Sequence, residues 1–168
     1  YWNGDGTNLP AQMAVEYLRG LCQQDGFAKG EFKVFGKPVS LRDVQVPLCA
    51  IACETDHIAH WKGSFNGVKQ MGSADKTFIL SESGHIAGII NPPSKGKYGH
   101  YTNPGPVSGA PEDWLKGATR NDGSWWPRWG AWLAERSGPM VKARVPQDAL
   151  APAPGTYVVA QPDRETAA

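Results

Sequence analysis

A chain of 168 residues suits one domain and can bury a core, since near this length ~70% of the unfolded surface is hidden on folding. With 40% hydrophobic and 20% charged residues, the composition is not that of a disordered chain. A net charge of +1 excludes a polyanion binder that works through a strong overall field. No stretch approaches ~18 uninterrupted apolar residues, and no basic-then-apolar segment opens the chain, so neither a membrane span nor a secretory signal is expected. Three cysteines, Cys22, Cys49 and Cys53, are too few and too odd for a disulfide scaffold, which points to reduced, cytoplasmic thiols.

In chain order, Asn8-Leu9-Pro10 reads as a helix start, with Asn8 as cap and Pro10 in the first turn. Met13, Tyr17 and Leu21, and beside them Ala14, Leu18 and Cys22, repeat every four residues and predict an apolar helical stripe that Asp25-Gly26 ends. Phe32, Val34 and Gly36-Lys37 suggest a short hairpin returning through Val39 and Leu41. Val46 to Cys53 is a continuous apolar run, as in a strand covered on both faces. Lys76 to Ser81 is a second strand, β-branched and aromatic. Trp61, Phe65, Val68 and Met71 lie between them at near-helical spacing, although Gly63 and Gly67 weaken that helix. Parallel strands need a crossover of this kind, so the stretch reads strand–helix–strand.

After Ile90 the chain is rich in Pro, Gly, Ser and Asn to Pro111. Ser124 to Glu135 predicts a short helix with Trp125, Trp129 and Trp132 on one face. From Ser137 onward prolines recur without period, as in an extended tail. No internal repeat is visible.

Position carries the chemistry. Asp56 comes three residues after Cys53, and His85 three residues after Glu82. If the strands are parallel, both emerge at the carboxyl edge of the sheet, where ligands and reacting groups collect. Neighbouring strands lie ~4.8 Å apart, so an Asp56–His85 hydrogen bond is within reach. Such a carboxylate fixes the imidazole tautomer and leaves the other ring nitrogen free to act as a base. The plainer alternative makes Asp56 a helix cap and His85 a loop residue.

Cys49, Cys53, His57 and His60 superficially resemble a zinc set. Within one strand, however, the two sulfurs would lie ~13 Å apart, and no metal site is expected. The Trp-rich segment, with Arg128, could stack on sugars or bases, or it could pack on the sheet. An Asp–His pair also needs a nucleophile. In the α/β-hydrolase order it precedes the acid on a Gly-x-Ser/Cys-x-Gly elbow. No such elbow precedes Asp56. Cys22 lies mid-helix, and Ser64 follows the acid with no strand before it.

One ordered series of residues is distinctive. It runs Trp2-Asn3-Gly4-Asp5-Gly6-Thr7-Asn8-Leu9-Pro10, Tyr17-Leu18-Arg19, Glu54-Thr55-Asp56-His57-Ile58-Ala59 and Ser83-Gly84-His85-Ile86-Ala87-Gly88-Ile89-Ile90-Asn91-Pro92-Pro93. It closes with Ser124-Trp125-Trp126-Pro127, Trp132-Leu133-Ala134-Glu135-Arg136-Ser137-Gly138 and Ala153-Pro154-Gly155-Thr156-Tyr157-Val158. The series resembles the C-terminal part of polyhydroxyalkanoate synthases, and the closing features look like class I, the poly(3-hydroxybutyrate) type.

The resemblance implies an α/β fold, namely the C-terminal portion of an α/β-hydrolase fold with parallel core strands and the end of a cap subdomain. Residues 1-43 would be the end of the cap and the return to the core. Residues 44-136 would be the C-terminal part of the core, and 137-168 an extended Pro-rich tail. The implied activity joins (R)-3-hydroxyacyl groups from coenzyme A thioesters into a polyester. Asp56 and His85 match the catalytic Asp and His, and His57 would contact substrate or coenzyme A. His85 would deprotonate a Cys nucleophile. Asp56 would orient His85 or help deprotonate the 3-hydroxyl.

The nucleophile would lie upstream, so the chain is expected to be a C-terminal fragment, inactive alone and exposing apolar surface. No cofactor is expected, since the coenzyme A thioester is the substrate. Expected partners are the acyl-CoA, the polyester chain, the N-terminal half of the synthase, a second copy in a homodimer and the granule surface. Nucleic acid and a membrane span are not expected. The location implied is cytoplasmic, on polyester granules. The alternatives are a non-catalytic polyester- or partner-binding fragment, or a thioesterase or depolymerase of the same fold.

Overall fold

A computed structural model describes residues 6–156. The start of the Trp2–Pro10 series and the closing Tyr157-Val158 lie outside the described residues.

Helix α1 (Ala11–Glu16) starts from Pro10 rather than Asn8 and has no side-chain cap. The Pro10 carbonyl accepts the first helical bond, from the Ala14 N–H at 3.0 Å. The helix widens into a π-helical stretch, Tyr17–Gln23. Asp25 then turns into the left-handed region, φ 54°, and α2 (Gly26–Lys29) follows. The apolar stripe is real in spacing but is not buried: Met13, Tyr17, Leu18 and Cys22 are all exposed. The hairpin pairs β1 (Lys33–Val34) with β2 (Lys37–Pro38). Its turn is Phe35-Gly36, one residue earlier than expected, and both residues have positive φ. That is the twist a two-residue hairpin turn demands.

The main sheet has the order β3 (Leu48–Cys53), β4 (Lys76–Ser81), β5 (His100–Thr102), β6 (Thr119–Asn121). β3 and β4 run parallel, with Leu48 opposite Lys76 and Cys53 opposite Ser81. β5 and β6 extend the sheet antiparallel. Neither short strand was expected, so the parallel core of the sequence reading becomes a mixed sheet. The crossover is α3 (Trp61–Gln70).

Trp61, Phe65 and Val68 of α3 pack on Ala52, Phe78 and Leu80 of the sheet, with Val107 and with Trp114 of α4 (Pro111–Lys116). Phe65 and Trp114 both meet the Phe78 ring edge-on, each at 5.2 Å, the geometry the ring quadrupole favours. A Cβ at Gly63 or Gly67 would meet nothing within 4 Å, and neither glycine interrupts the helix.

The other face of the sheet, with Cys49, Thr77 and Ile79, lines a cavity of about 890 Å³. Its far wall is α5 (Trp126–Ala134), which contributes Arg128, Ala131 and Trp132. β3 is therefore less covered than its apolar run implies: only Ala52 and Cys53 are buried. It is an edge strand, with β4 its one neighbour among the described residues. Residues 137–156 form no helix or strand and are almost wholly exposed. Among the described residues no helix is long and apolar enough to cross a membrane.

Candidate active site

Because β3 and β4 are in parallel register, the loops that follow them leave from one edge. Their pairing continues past the strand ends. The Glu54 N–H donates to the Ser81 carbonyl at 2.8 Å and the Thr55 N–H to the Ser83 carbonyl at 3.1 Å. This zippering brings Asp56 and His85 together, and His85 Nδ1–H donates to Asp56 Oδ2 at 2.9 Å.

Asp56 is also a turn former. Its Oδ1 accepts from the N–H groups of Ile58 and Ala59 at 2.8 and 2.9 Å. Asp56 is therefore not a helix cap, since α3 has His60 at its N-cap position and no side-chain cap, but one oxygen closes the turn while the other pairs with His85. The His85 hydrogen bond and the two backbone donors hold the carboxyl down at about 2, against the opposing effect of burial. An ionised carboxylate only accepts, so the proton between the groups sits on Nδ1, and Nε2 is left as the basic nitrogen. The His85 side chain is 46% exposed against 8% for Asp56. Among the described residues no hydrogen bond engages Nε2.

The three cysteines do not supply a nucleophile to that nitrogen. Cys53 is 1% exposed, and burial, with the charge of Asp56, pushes its thiol up to about 11. Burial also raises Cys49. Cys22 lies in the π-helical stretch and makes no hydrogen bond to His85. Ser64 is inside α3. His57 is exposed on the Asp56 turn, one residue from the pair, and His60 begins α3. Among the described residues no group of three or more His, Cys, Asp or Glu is placed to hold a metal ion.

The His85 loop is held from several sides. Buried Ser81 donates its hydroxyl to the Gly88 carbonyl at 2.8 Å. Glu82 accepts from Arg120 Nε at 2.6 Å and from the Gly99 N–H at 2.6 Å, and the Arg120 hydrogen bond is the main cause of its lowered pKa. Trp125 Nε1 and Trp126 Nε1 donate to the carbonyls of Gly88 and Ile89. The sequence leaves the tryptophans open as a stacking platform or a packed face. Packing is what Trp125 does, and the indole N–H contacts were not foreseen.

Gly88 has no room for a side chain. A Cβ there would sit 2.5 Å from Cys53 Sγ and 2.8 Å from the Glu82 carbonyl oxygen. Gly88→Ala should therefore shift the loop and cost about 1–3 kcal/mol, the usual penalty for overpacking. A chemical-denaturation midpoint equal to the parent's would contradict this.

A mixed sheet flanked by helices, with a carboxylate–histidine pair at the carboxyl edge of its parallel strands, places this chain among the α/β proteins, whose ligands and reacting groups gather at that edge. No protein-family model matches the chain. Curated relatives do. The poly(3-hydroxyalkanoate) polymerase subunit PhaC of Rhizobium meliloti is 42% identical over 161 residues, 94% of this chain and 26% of its own length. That of Cupriavidus necator is 40% identical over 167 residues, 96% and 28%. The poly(3-hydroxyalkanoate) polymerase of Methylorubrum extorquens is 42% identical over 163 residues, 94% and 27%. Over nearly its whole length, then, the chain is homologous to part of the poly(3-hydroxyalkanoate) polymerases. It spans about a quarter of the length of these relatives.

Proposed function

We propose that this chain is the acid–base portion of a polyhydroxyalkanoate polymerase, an acyltransferase that joins (R)-3-hydroxyacyl groups and releases coenzyme A. The observation that carries the proposal is the Asp56–His85 hydrogen bond with Nε2 left free, in a chain 42% identical to such a polymerase. His85 Nε2 takes the proton of a cysteine thiol held by polypeptide outside these residues. The thiolate attacks the acyl-CoA carbonyl, and the imidazolium returns the proton to the departing coenzyme A sulfur. His85 then takes the 3-hydroxyl proton of the next unit, whose oxygen attacks the chain thioester. An ester forms, and the proton goes back to the cysteine sulfur. Each step is redox-neutral, so acid–base groups and a nucleophile suffice without a cofactor. His57, beside Asp56, contacts the acyl-CoA. The remaining partners in this reading are the polyester chain and granule surface in the cytoplasm and a second copy in a homodimer.

The test supplies (R)-3-hydroxybutyryl-CoA to the full-length polymerase carrying this sequence and to the 168-residue chain. The full-length protein should release coenzyme A and form polyester, and the chain alone should release none. Free hydroxy acid as the sole product of the full-length protein would make it a thioesterase. Turnover by the chain alone would overturn the external nucleophile.

A further inference from the structure

We infer that Trp125 and Trp126 are positioning residues, whose two indole N–H groups clamp adjacent carbonyls of the His85 loop and thereby aim His85 at Asp56. The catalytic part of this inference rests on the function proposed above.

The loop from Gly84 to Ile90 is wound into consecutive turns. The Gly88 N–H donates to the Gly84 carbonyl at 2.9 Å, and the Ile90 N–H to the Ile86 carbonyl at 2.8 Å. His85 lies inside this small coil, so fixing one end fixes the ring. Trp125 Nε1 reaches the Gly88 carbonyl at 2.8 Å and Trp126 Nε1 reaches the Ile89 carbonyl at 2.9 Å. The Gly88 oxygen thus takes two donors, Trp125 and Ser81.

Two neighbouring residues on a helix point in different directions, so both reaching one loop needs a special entry. The start of α5 provides it. The Trp126 N–H donates to Ser124 Oγ at 3.0 Å, Pro127 fixes the first turn, and Trp125 stacks edge-on against both Trp126 and Trp129. Packing alone would not need either N–H. Trp125 is buried, and a buried indole nitrogen without a partner costs free energy, yet the chain has tryptophan there twice.

The experiment uses the full-length polymerase with Trp125→Phe and Trp126→Phe, singly and together, which keep a ring and remove the N–H. Hydrogen exchange by mass spectrometry should show faster exchange in the peptide covering 82–91 and unchanged exchange in 61–70. In the double variant kcat should fall by about tenfold to a hundredfold, the cost of misplacing a reacting group, with KM within about twofold. In an Asp56→Asn background the same two substitutions should cost under about threefold, because the His85 tautomer they align for catalysis is already lost.

Unchanged loop exchange in the double variant overturns the clamp, whatever the reaction. Faster exchange with an equal kcat loss in both backgrounds overturns the positioning role. If the double variant does not fold, the single Trp126→Phe, at a half-buried site, carries the same comparison. A His85→Ala enzyme that keeps its activity would instead sink the proposed function and leave the exchange result standing.

Discussion

Replacing His85 by alanine in the full-length polymerase is expected to lower coenzyme A release by on the order of 10⁴-fold or more. One ring serves both proton transfers in the proposed cycle, and among the described residues no other imidazole is hydrogen-bonded to Asp56. His57 and His60 are on the Asp56 side of the site but make no hydrogen bond to the carboxylate, and Asp56 Oδ2 has His85 as its side-chain partner. The loss should not come from unfolding. His85 is nearly half exposed, and the loop keeps its Ser81, Glu82 and tryptophan contacts without the ring. Asp56 keeps two backbone donors. The melting temperature should stay within a few degrees of the parent's while the initial rate collapses. A rate loss below about tenfold would remove His85 from the role of base.

The part of the fold that carries this pair was legible because its signals are local and strong. β4 falls on the expected Lys76–Ser81 and β3 starts two residues after the expected Val46. The parallel pair shows as two apolar runs, although β3 proves only partly buried, and the helix between shows as Trp61, Phe65 and Val68 at one face. β5 and β6 were not legible. Each has three residues, too few to display a period of two, and their composition, His100-Tyr101-Thr102 and Thr119-Arg120-Asn121, is mainly polar. They exist because β4 offers an open edge and because Arg120 and Asn121 find partners in Glu82 and His100. The Met13–Leu18 stripe misled in another way. Helical spacing predicts a face that seeks burial, but it cannot say whether these residues contain the surface that buries it.

The site was legible to the extent that topology fixed it. Two loops leaving parallel strands at equal depth must be neighbours, and the sequence put a carboxylate on one and a histidine on the other. What holds those loops was hidden, because it comes from 35–40 residues further along, through Trp125, Trp126 and Arg120. Side-chain to main-chain bonds over that distance leave no spacing rule. For Asp56 the sequence offers capping and histidine pairing as alternatives, but a carboxylate has two oxygens, and turn capping and histidine pairing do not compete.

Asp56→Asn is the substitution that separates the two roles open to this carboxylate, and it should lower kcat by about 10⁴-fold. The physical reason favours orientation over proton abstraction. A group that titrates at about 2 is a poor base for an alcohol, and both of its oxygens are occupied by His85, Ile58 and Ala59. Asparagine fits the same space and can still accept from Ile58 and Ala59. It then turns an N–H₂ toward His85 Nδ1, which drives the proton to Nε2 and leaves the free nitrogen unable to accept. If that is the mechanism, the first acylation and the later elongation fail together. A single-turnover burst of coenzyme A kept at the parent's rate, with elongation lost, would show that Asp56 serves the hydroxyl instead.

The pH dependence has a definite sign. The carboxyl lies below its ordinary value of 3.8, so its contribution to stability is fully present above about 4 and disappears as pH falls through about 2. The gap in denaturation midpoint between the parent and Asp56→Asn should therefore be constant from neutrality down to about pH 4 and narrow below it. Any acid limb in the rate profile above about pH 4 belongs to another group, because Asp56 stays ionised there. A midpoint gap that closes already near pH 6 would mean that Asp56 is not held ionised by His85 and the turn.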